Sequence, residues 1–316
     1  MTGRLLNGVS MTIAVFGSIN MDITAYMERL PAPGETLHGH EYKLGLGGKG
    51  ANQAVAARKL GSDVRLIGRL GADDFAKPAE RELASYGVDL GLVRKDSEGA
   101  TGIAIINVGE SGENYISLIG GSNLSLDDSD VTRARAALEA ATVLLLQLEV
   151  PLAASLKAAA IVRAHGGTVI LDPAPAPKGG LGREVLHAVD IVTPNETEAA
   201  SILGWHPETL EDGLRAAKEL RQKGVATAIV KLGAKGLAVA SVETTGIIPA
   251  FKVKAIDTVA AGDTFNGGLA HALEQGQPIL AAARYAAACA ALSTTKKGAS
   301  AAAPTKEEVE AFLKSV

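Results

Sequence analysis

Residues 43–54 read KLGLGGKGANQA, and the fold class turns on what those glycines are for. Taken literally, Gly45-x-Gly47-x-x-Gly50 satisfies the dinucleotide-binding pattern, and Lys49 among the glycines gives the stretch half the look of a P-loop. Neither survives its context. A dinucleotide fold needs a buried strand directly before the glycines and an acid closing the next strand, about 20 residues on. Here HEYKL (40–44) is short and polar, and Asp63 precedes the next apolar run, VRLIGR (64–69), instead of ending it. A P-loop requires Gly-Lys to be followed by Ser or Thr, and Lys49 is followed by Gly50. Two readings stay open from these residues alone: a loop whose backbone closes on some other ligand, or a tight turn beside a helix with no ligand.

The whole chain bounds the choice. Its 316 residues, 47% hydrophobic and 21% charged, suit a large globular core. A formal net charge of −4 argues against nucleic acid as a partner and for a small ligand. The one cysteine, Cys289, excludes an intrachain disulfide and suits a reducing cytoplasm. Gln147, Glu149 and Pro151 interrupt the most apolar stretch, so no membrane span is expected. The opening MTGRLLNGVSMTIAVFGS has one arginine before a short apolar run, which reads better as a buried first strand than as a signal peptide. Residues 1–10 are expected to be an extension without a fold of their own, ahead of one domain over 11–316.

Short apolar runs alternate with longer helical ones. TIAVFG, VRLIGR, TVLLLQL, TVILDP, DIVTPN and TAIVKLG read as strands buried on both faces. GANQAVAARKLG, PLAASLKAAAIVRAHGG and TLEDGLRAAKELRQKG read as helices, and three alanine-rich helices begin near Ala261, Pro278 and Thr305. The expected class is α/β: a three-layer αβα sandwich around a mainly parallel sheet. ETLHGHEYKL and TGIAIINVGESGENYISLIGG break the rhythm with alternation and turn chemistry. They predict a small β-sheet lid from segments near 24–44 and 101–120.

The stretch DTVAAGDTFNGG (257–268) is expected to run from a strand end into a helix. Small residues Ala260, Ala261 and Gly262 let backbone N–H groups converge at the helix N-terminus, where the macrodipole favours an anion. Asp263 in the first turn is either a helix cap or a base beside that anion hole. Asn195 and Glu198, three apart at the start of a helix, share one face and also fit a capping box. Other residues invite bland readings. His38 and His40, two apart on a lid strand, lack a third ligand, and Cys289 suits core packing. Trp205 and His206 follow Gly204 as a helix exit, and Lys296–Lys297 is too short for a phosphate patch.

GSINMD (17–22), PAPGETLHG (31–39) into GGKGANQA (47–54), TPNETEA (193–199) and DTVAAGDTFNGG, in that order and at domain-scale spacing, resemble the ribokinase-like (PfkB) family of carbohydrate kinases. The resemblance runs from about Thr12 to Phe312. It implies ATP-dependent phosphorylation of a sugar, with D-ribose phosphorylated at O5 as the expected reaction. A related kinase acting on deoxyribose, a ketohexose, a sugar acid or a nucleoside is the alternative. It implies that Gly47, Gly48 and Lys49 lie against sugar hydroxyls, that Asn52 reaches from the following helix, and that Asn20 and Asp22, at the end of the first strand, complete the clamp with Glu149. The bland reading of Asp22 is a strand-end turn residue, and of Glu149 a solvated helix start. Asp263 becomes the base and the amides of Ala260, Ala261 and Gly262 the anion hole. Asn195 and Glu198 organise Mg²⁺ and the phosphates, and Lys231, Gly233, Gly236 and Gly262 meet ATP. A monovalent cation, K⁺, is implied at Asp257, Val259, Ser293, Lys296, Gly298 and Ala302. The chain departs from the family at Ala287, where a histidine or similar polar group is expected near adenine, and at Ala302, which replaces a serine. A homodimer through the lid is implied as well.

Overall fold

The computed structural model of the chain describes residues 5–6, 9–10, 12–111 and 113–316. Within the expected N-terminal extension, strand β1 (Leu5–Leu6) pairs antiparallel with β2 (Val9–Ser10). The rest of that extension, with Met11 at the expected domain start, lies outside the described residues. Then come β3 (Ile13–Phe16), β4 (Asn20–Met27), β5 (Glu41–Gly47), α1 (Lys49–Lys59) and β6 (Val64–Gly71). Helix α2 (Ala76–Ser85) and β7 (Val93–Asp96) precede a hairpin of β8 (Gly102–Gly109) and β9 (Asn114–Ile119). Helices α3 (Asp128–Arg133) and α4 (Arg135–Ala140) lead to β10 (Val143–Leu146), α5 (Leu152–Ala164) and β11 (Thr168–Leu171). They are followed by α6 (Arg183–Ala188), β12 (Ile191–Val192), α7 (Glu196–Leu203), α8 (Leu210–Gln222) and β13 (Thr227–Lys231). Strands β14 (Gly236–Ala240) and β15 (Thr245–Pro249) and helices α9 (Ala261–Glu274), α10 (Ile279–Ser293) and α11 (Lys306–Ser315) close the chain.

The central sheet has nine strands in the order β15-β14-β13-β12-β11-β10-β3-β6-β7. Neighbours from β13 to β7 are parallel, and β14 and β15 are antiparallel additions. Alternate side chains of each strand go to opposite faces, which is why the core strands are continuous apolar runs. Ile13, Val15 and Leu145 join a cluster with α1, α9 and α10, and Ala14, Phe16, Leu144 and Leu146 join one with α5 and α8. That is the expected three-layer sandwich. Among the described residues, no helix is long and apolar enough to cross a membrane.

A second, four-stranded sheet has the order β5-β4-β8-β9. It corrects three details of the sequence reading. Strand β4 begins at Asn20, so Asn20 and Asp22 belong to the lid and not to the end of the first core strand. No strand lies between Met27 and Glu41, where Pro31, Pro33 and Gly34 deny the ladder its donors and its extended geometry. His38 and His40 therefore sit in an exposed connection, not on a lid strand.

The chain leaves β3 first toward β6 on one side and only later for β10 on the other. Where strand order reverses in an open α/β sheet, a crevice opens at the carboxyl ends of the strands. The lid rises from that edge.

Candidate functional site

At the crevice, the first turn of α1 lies directly on the end of β3. A Cβ on Gly50 would stand 2.6 Å from the Gly17 carbonyl carbon and the Ser18 nitrogen, and one on Gly17 would stand 2.8 Å from Gly50 Cα. Gly48 has φ 87°, and a Cβ there would be 2.8 Å from Asn20 N. A Cβ on Gly47 would overlap the Asp22 carboxylate. The glycines thus let β3, β4 and α1 approach one another, and they are a strand end and a helix start more than a loop. Ser18 Oγ donates to Glu149 Oε2 (2.5 Å), and Lys49 N donates to the same oxygen (3.2 Å). A carboxylate is thereby held at the positive end of α1, which replaces the reading of Glu149 as a solvated helix start.

Asn20 is buried, and its Oδ1 accepts from Asn123 Nδ2 (2.7 Å). Asn123 also grips the Ile19 backbone, accepting from its N–H (2.9 Å) and donating to its carbonyl (3.1 Å). With Oδ1 so engaged, Asn20 turns its amide nitrogen outward as a donor. Burial, then the nearby carboxylates of Glu149, Asp263 and Glu82, raise the Asp22 carboxyl to about 7.

No strand precedes the anion-hole motif: residues 250–260 are irregular, which corrects its expected start at a strand end. Ala260 is the N-cap of α9 with φ 56°, and among the described residues it alone combines positive φ with a side chain. That left-handed residue costs roughly 1 kcal/mol and turns the chain into the helix. Ala261 N bends back to Thr258 O (3.3 Å), while Gly262 and Asp263 follow in the first turn, where amides have no intrahelical acceptor.

Asp263 is buried and does not cap its helix. Its Oδ2 accepts from Asn52 Nδ2 (3.1 Å) and its Oδ1 from Gln53 Nε2 (3.1 Å). Each amide is itself oriented from behind, Asn52 Oδ1 by Ser300 Oγ (2.7 Å) and Gln53 Oε1 by Gln147 Nε2 (2.7 Å). Burial raises the Asp263 carboxyl to about 6; Lys49 works against this and Asp172 with it. Burial also disfavours the Lys49 ammonium, but Asp263, Asp172, Glu149 and Glu198 outweigh it and hold the lysine charged, above its ordinary range.

Asn195 and Glu198 form the capping box of α7. Asn195 Oδ1 accepts from Glu198 N (2.8 Å), and Glu198 Oε2 accepts from Asn195 N (2.8 Å). Burial raises the Glu198 carboxyl, with Lys231 pulling the other way. Lys231 ends β13, with Gly233 and Gly236 in the turn beyond it, and its Nζ donates to Asp172 Oδ1 (3.1 Å). The same ammonium is 3.5 Å from the Cβ position of Gly262. One acidic and amide-lined wall, two lysine ammonium groups and an open helix N-terminus therefore meet at a single edge, an arrangement suited to moving a phosphoryl group onto a hydroxyl.

Residues 11–306 match the sequence model of the pfkB family carbohydrate kinase. The chain belongs to the pfkB family of carbohydrate kinases. This pfkB kinase is 42% identical over 302 residues to the ribokinase of Haemophilus influenzae, covering 96% of this chain and 98% of that protein. It is 38% identical over 303 residues to the deoxyribokinase of Salmonella typhi, covering 96% and 99%. The structure of Arabidopsis thaliana ribokinase complexed with ribose and ATP matches it with a TM-score of 0.88 at 34% identity, covering 96% and 98%.

In the pfkB kinase, Asp257 ties together part of the expected cation loop. Its Oδ1 accepts from Val259 N (3.0 Å) and its Oδ2 from Gly298 N (2.9 Å). Ser293 and Lys296 lie in the turn that ends α10, linked by Lys296 N to Ser293 O (3.2 Å), and the Lys296 ammonium pairs with Glu308 (2.6 Å). Ala302 is buried in the 3-10 turn Ser300–Ala302, whose Ser300 reaches Asn52 instead. Ala287 packs at the edge of the core, and Cys289 is buried against Gly268, where burial pushes its thiol well up.

Sequence reasoning missed Ser18, Gln53, Asn123, Gln147 and Asp172. Two carried a readable signal. Asp172 closes the apolar run TVIL at a carboxyl edge, and Gln147 is a polar residue inside LLLQL, where burial demands a partner. Gln53 and Asn123 carried none, because only the packing of α1 and the lid's return chain brings them here.

Proposed function

We propose that this pfkB kinase transfers the γ-phosphoryl group of ATP to O5 of D-ribose, giving ribose 5-phosphate and ADP, with residues 11–316 acting as one kinase domain. The observation that carries this is the buried Asp263 carboxylate, held by two amides beside the first-turn amides of α9. Asp263 takes the O5 proton as O5 bonds to the γ-phosphorus and the bond from that phosphorus to the ADP oxygen breaks. The backbone at Ala260, Ala261 and Gly262 faces the charge on the transferring group. Asn20, Asp22, Gly47, Gly48, Lys49, Asn52 and Glu149 line the sugar side. Donor and acceptor character there suits vicinal hydroxyls: the Asn20 amide nitrogen gives, and the Asp22 and Glu149 carboxylates receive.

Lys231, Gly233, Gly236 and Gly262 line the phosphate side. Asn195 and Glu198 form a hard oxygen donor set already engaged in a capping box, which fits Mg²⁺ held through its water shell; the ion supplies charge neutralisation on the phosphates. Asp257 with the main chain of the turns at Val259, Ser293, Lys296, Gly298 and Ala302 is a donor set suited to K⁺, which supplies positive charge behind the anion hole.

ADP release coupled to a reporter, with D-ribose, 2-deoxyribose and fructose, tests this. Turnover on ribose is expected to exceed the others, since a sugar without its 2-hydroxyl leaves a buried acceptor unpaired. Preference for 2-deoxyribose, the sugar named for the Salmonella relative, would overturn the ribose assignment and leave the kinase standing. Asp263→Asn should lower kcat by about 10²–10⁴-fold with ribose binding retained. A base must be unprotonated to act, so with Asp263 near 6 before ATP binds, kcat/KM for ATP should fall as pH drops through about 6.

A further inference from the structure

Gln53 lies between two carboxylates. Its Nε2 donates to Asp263 Oδ1 (3.1 Å) and to Asp172 Oδ2 (3.3 Å), while Gln147 Nε2 holds its oxygen (2.7 Å). Gln53, Gln147, Asp172 and Asp263 are all buried. An amide nitrogen carries two protons, so each carboxylate takes one. Turning the amide over would break the bond from Gln147 and aim an oxygen at both acids. The other oxygen of Asp172 meets Lys231 Nζ at 3.1 Å, and that ammonium stands 3.5 Å from the Cβ position of Gly262 at the start of α9. One lysine is thus within reach of Asp172 and of any anion at the helix N-terminus.

We propose that Asp172 is a positioning residue that acts through Gln53 to make Asp263 a stronger base when a bound phosphate draws Lys231 away. This rests on the reading of Asp263 as the base and of Lys231 as a phosphate contact. While Lys231 sits on Asp172, the pair presents little net charge. Once the ammonium turns to a phosphate, an uncompensated carboxylate remains one amide away from Asp263, and a like charge at that range raises proton affinity. The base would then be weak in the free enzyme and strong once ATP is in place.

The charged groups that face Asp263 are Lys49 from α1, Asp172 just past the end of β11, Lys231 from β13 and Asp22 from β4. The turn after α10 contributes the neutral Ser300 through Asn52. Helix α10 meets α9 farther along, where Cys289 lies against Gly268. Asp172 is among the groups that raise Asp263, after burial.

Asp172→Asn keeps the shape and an acceptor for Gln53 while removing the charge. The experiment is the pH profile of the intact enzyme, as kcat at saturating ribose and ATP and as kcat/KM for ATP, since the first reports the ternary complex and the second the enzyme before ATP binds. The acid limb of kcat should move down by about one pH unit in D172N, and the limb of kcat/KM should move by less. Lys231→Gln strips Asp172 of its counter-ion before ATP arrives, so it should move the kcat/KM limb up toward the kcat limb; it serves alone if D172N does not fold. An unmoved kcat limb in folded D172N, equal shifts in both parameters for D172N, or an unmoved kcat/KM limb in folded Lys231→Gln overturns the coupling. Asp263→Asn in the same series separates the two readings. Retained turnover there sinks the base assignment, whereas lost turnover beside an unmoved D172N limb sinks only the role of Asp172.

Discussion

Gly45, Gly47, Gly48 and Gly50 sit within one short stretch and do different work. Gly45 on β5 has nothing within 4 Å of its Cβ position and an ordinary φ, so alanine is tolerated there to within about 0.5 kcal/mol. At Gly50 the obstacle is backbone on both sides, the Gly17 carbonyl carbon and the Ser18 nitrogen at 2.6 Å, and neither can rotate away. Gly50→Ala should cost about 3 kcal/mol in urea unfolding. At Gly47 the obstacle is the end of the Asp22 side chain, which can swing aside at the expense of whatever it binds. Gly47→Ala should leave stability nearly unchanged and raise KM for ribose about tenfold, which is about 1.4 kcal/mol of lost binding. The three alanine variants together check the assignment of each glycine: a Gly50→Ala protein as stable as Gly45→Ala would contradict the close approach of α1 to β3, and an unchanged KM in Gly47→Ala would remove Asp22 from the sugar side.

At the scale of elements, α9 decides where the chemistry sits. It is buried on nearly every side, with Gly267 against α1 and Gly268 against α10. A Cβ on Gly267 would meet Ala56 Cβ at 2.6 Å and both Ala57 N and Gln53 O at 2.9 Å. Gly267→Ala should push α1 and α9 apart, cost about 2 kcal/mol in urea unfolding and lower kcat at least tenfold, because Gln53 and Asp263 sit on those two helices. Full activity in a folded variant would show that the site tolerates their separation. The same element shows what the sequence made legible. The core strands and the long helices were readable, since burial on both faces writes a continuous apolar run and an alanine-rich face writes a helix. The motif around Asp263 was readable as an N-terminus with an acid in its first turn. Its approach was not, because residues 250–260 hold their place through Asp257 and the turn after α10, which are contacts far apart in sequence. Strand β4 was misread for a related reason: NMDITAYM carries on the apolar character of TIAVF, and only the pairing of Asn20 with Gly47 and Gly102 moves it into the second sheet.

At the scale of the molecule, the lid is a sheet one layer thick with apolar side chains on both faces. Its register sorts them. Leu44, Ile23 and Ile105 form one row, and Tyr42, Ala25 and Tyr115, the last through Asn107, form the next on the same face. Asp22 lies on the opposite face, toward the site, with Ile116 and Leu118 on that side of β9. On the outer face Tyr42 is 70% exposed, Leu44 53%, Tyr115 61% and Ile105 38%. An isolated sheet this thin needs a partner surface to be stable in water, and a contiguous apolar face of this kind marks an interface. Among the described residues none covers it, and a second copy offers the same apolar face, which is what a twofold contact requires. The expected state is a homodimer in which the outer faces of two lids meet. Changing Leu44 and Ile105 together to aspartate should convert a dimer into a monomer in sedimentation velocity at micromolar concentration. Asp263 on α9 and Gln53 on α1 lie outside the lid, so the monomer should keep its turnover number while KM for ribose rises several-fold as the lid loses its backing. A wild-type protein that sediments as a monomer, or a double variant that still sediments as a dimer, would show that the lid's outer face is not the contact.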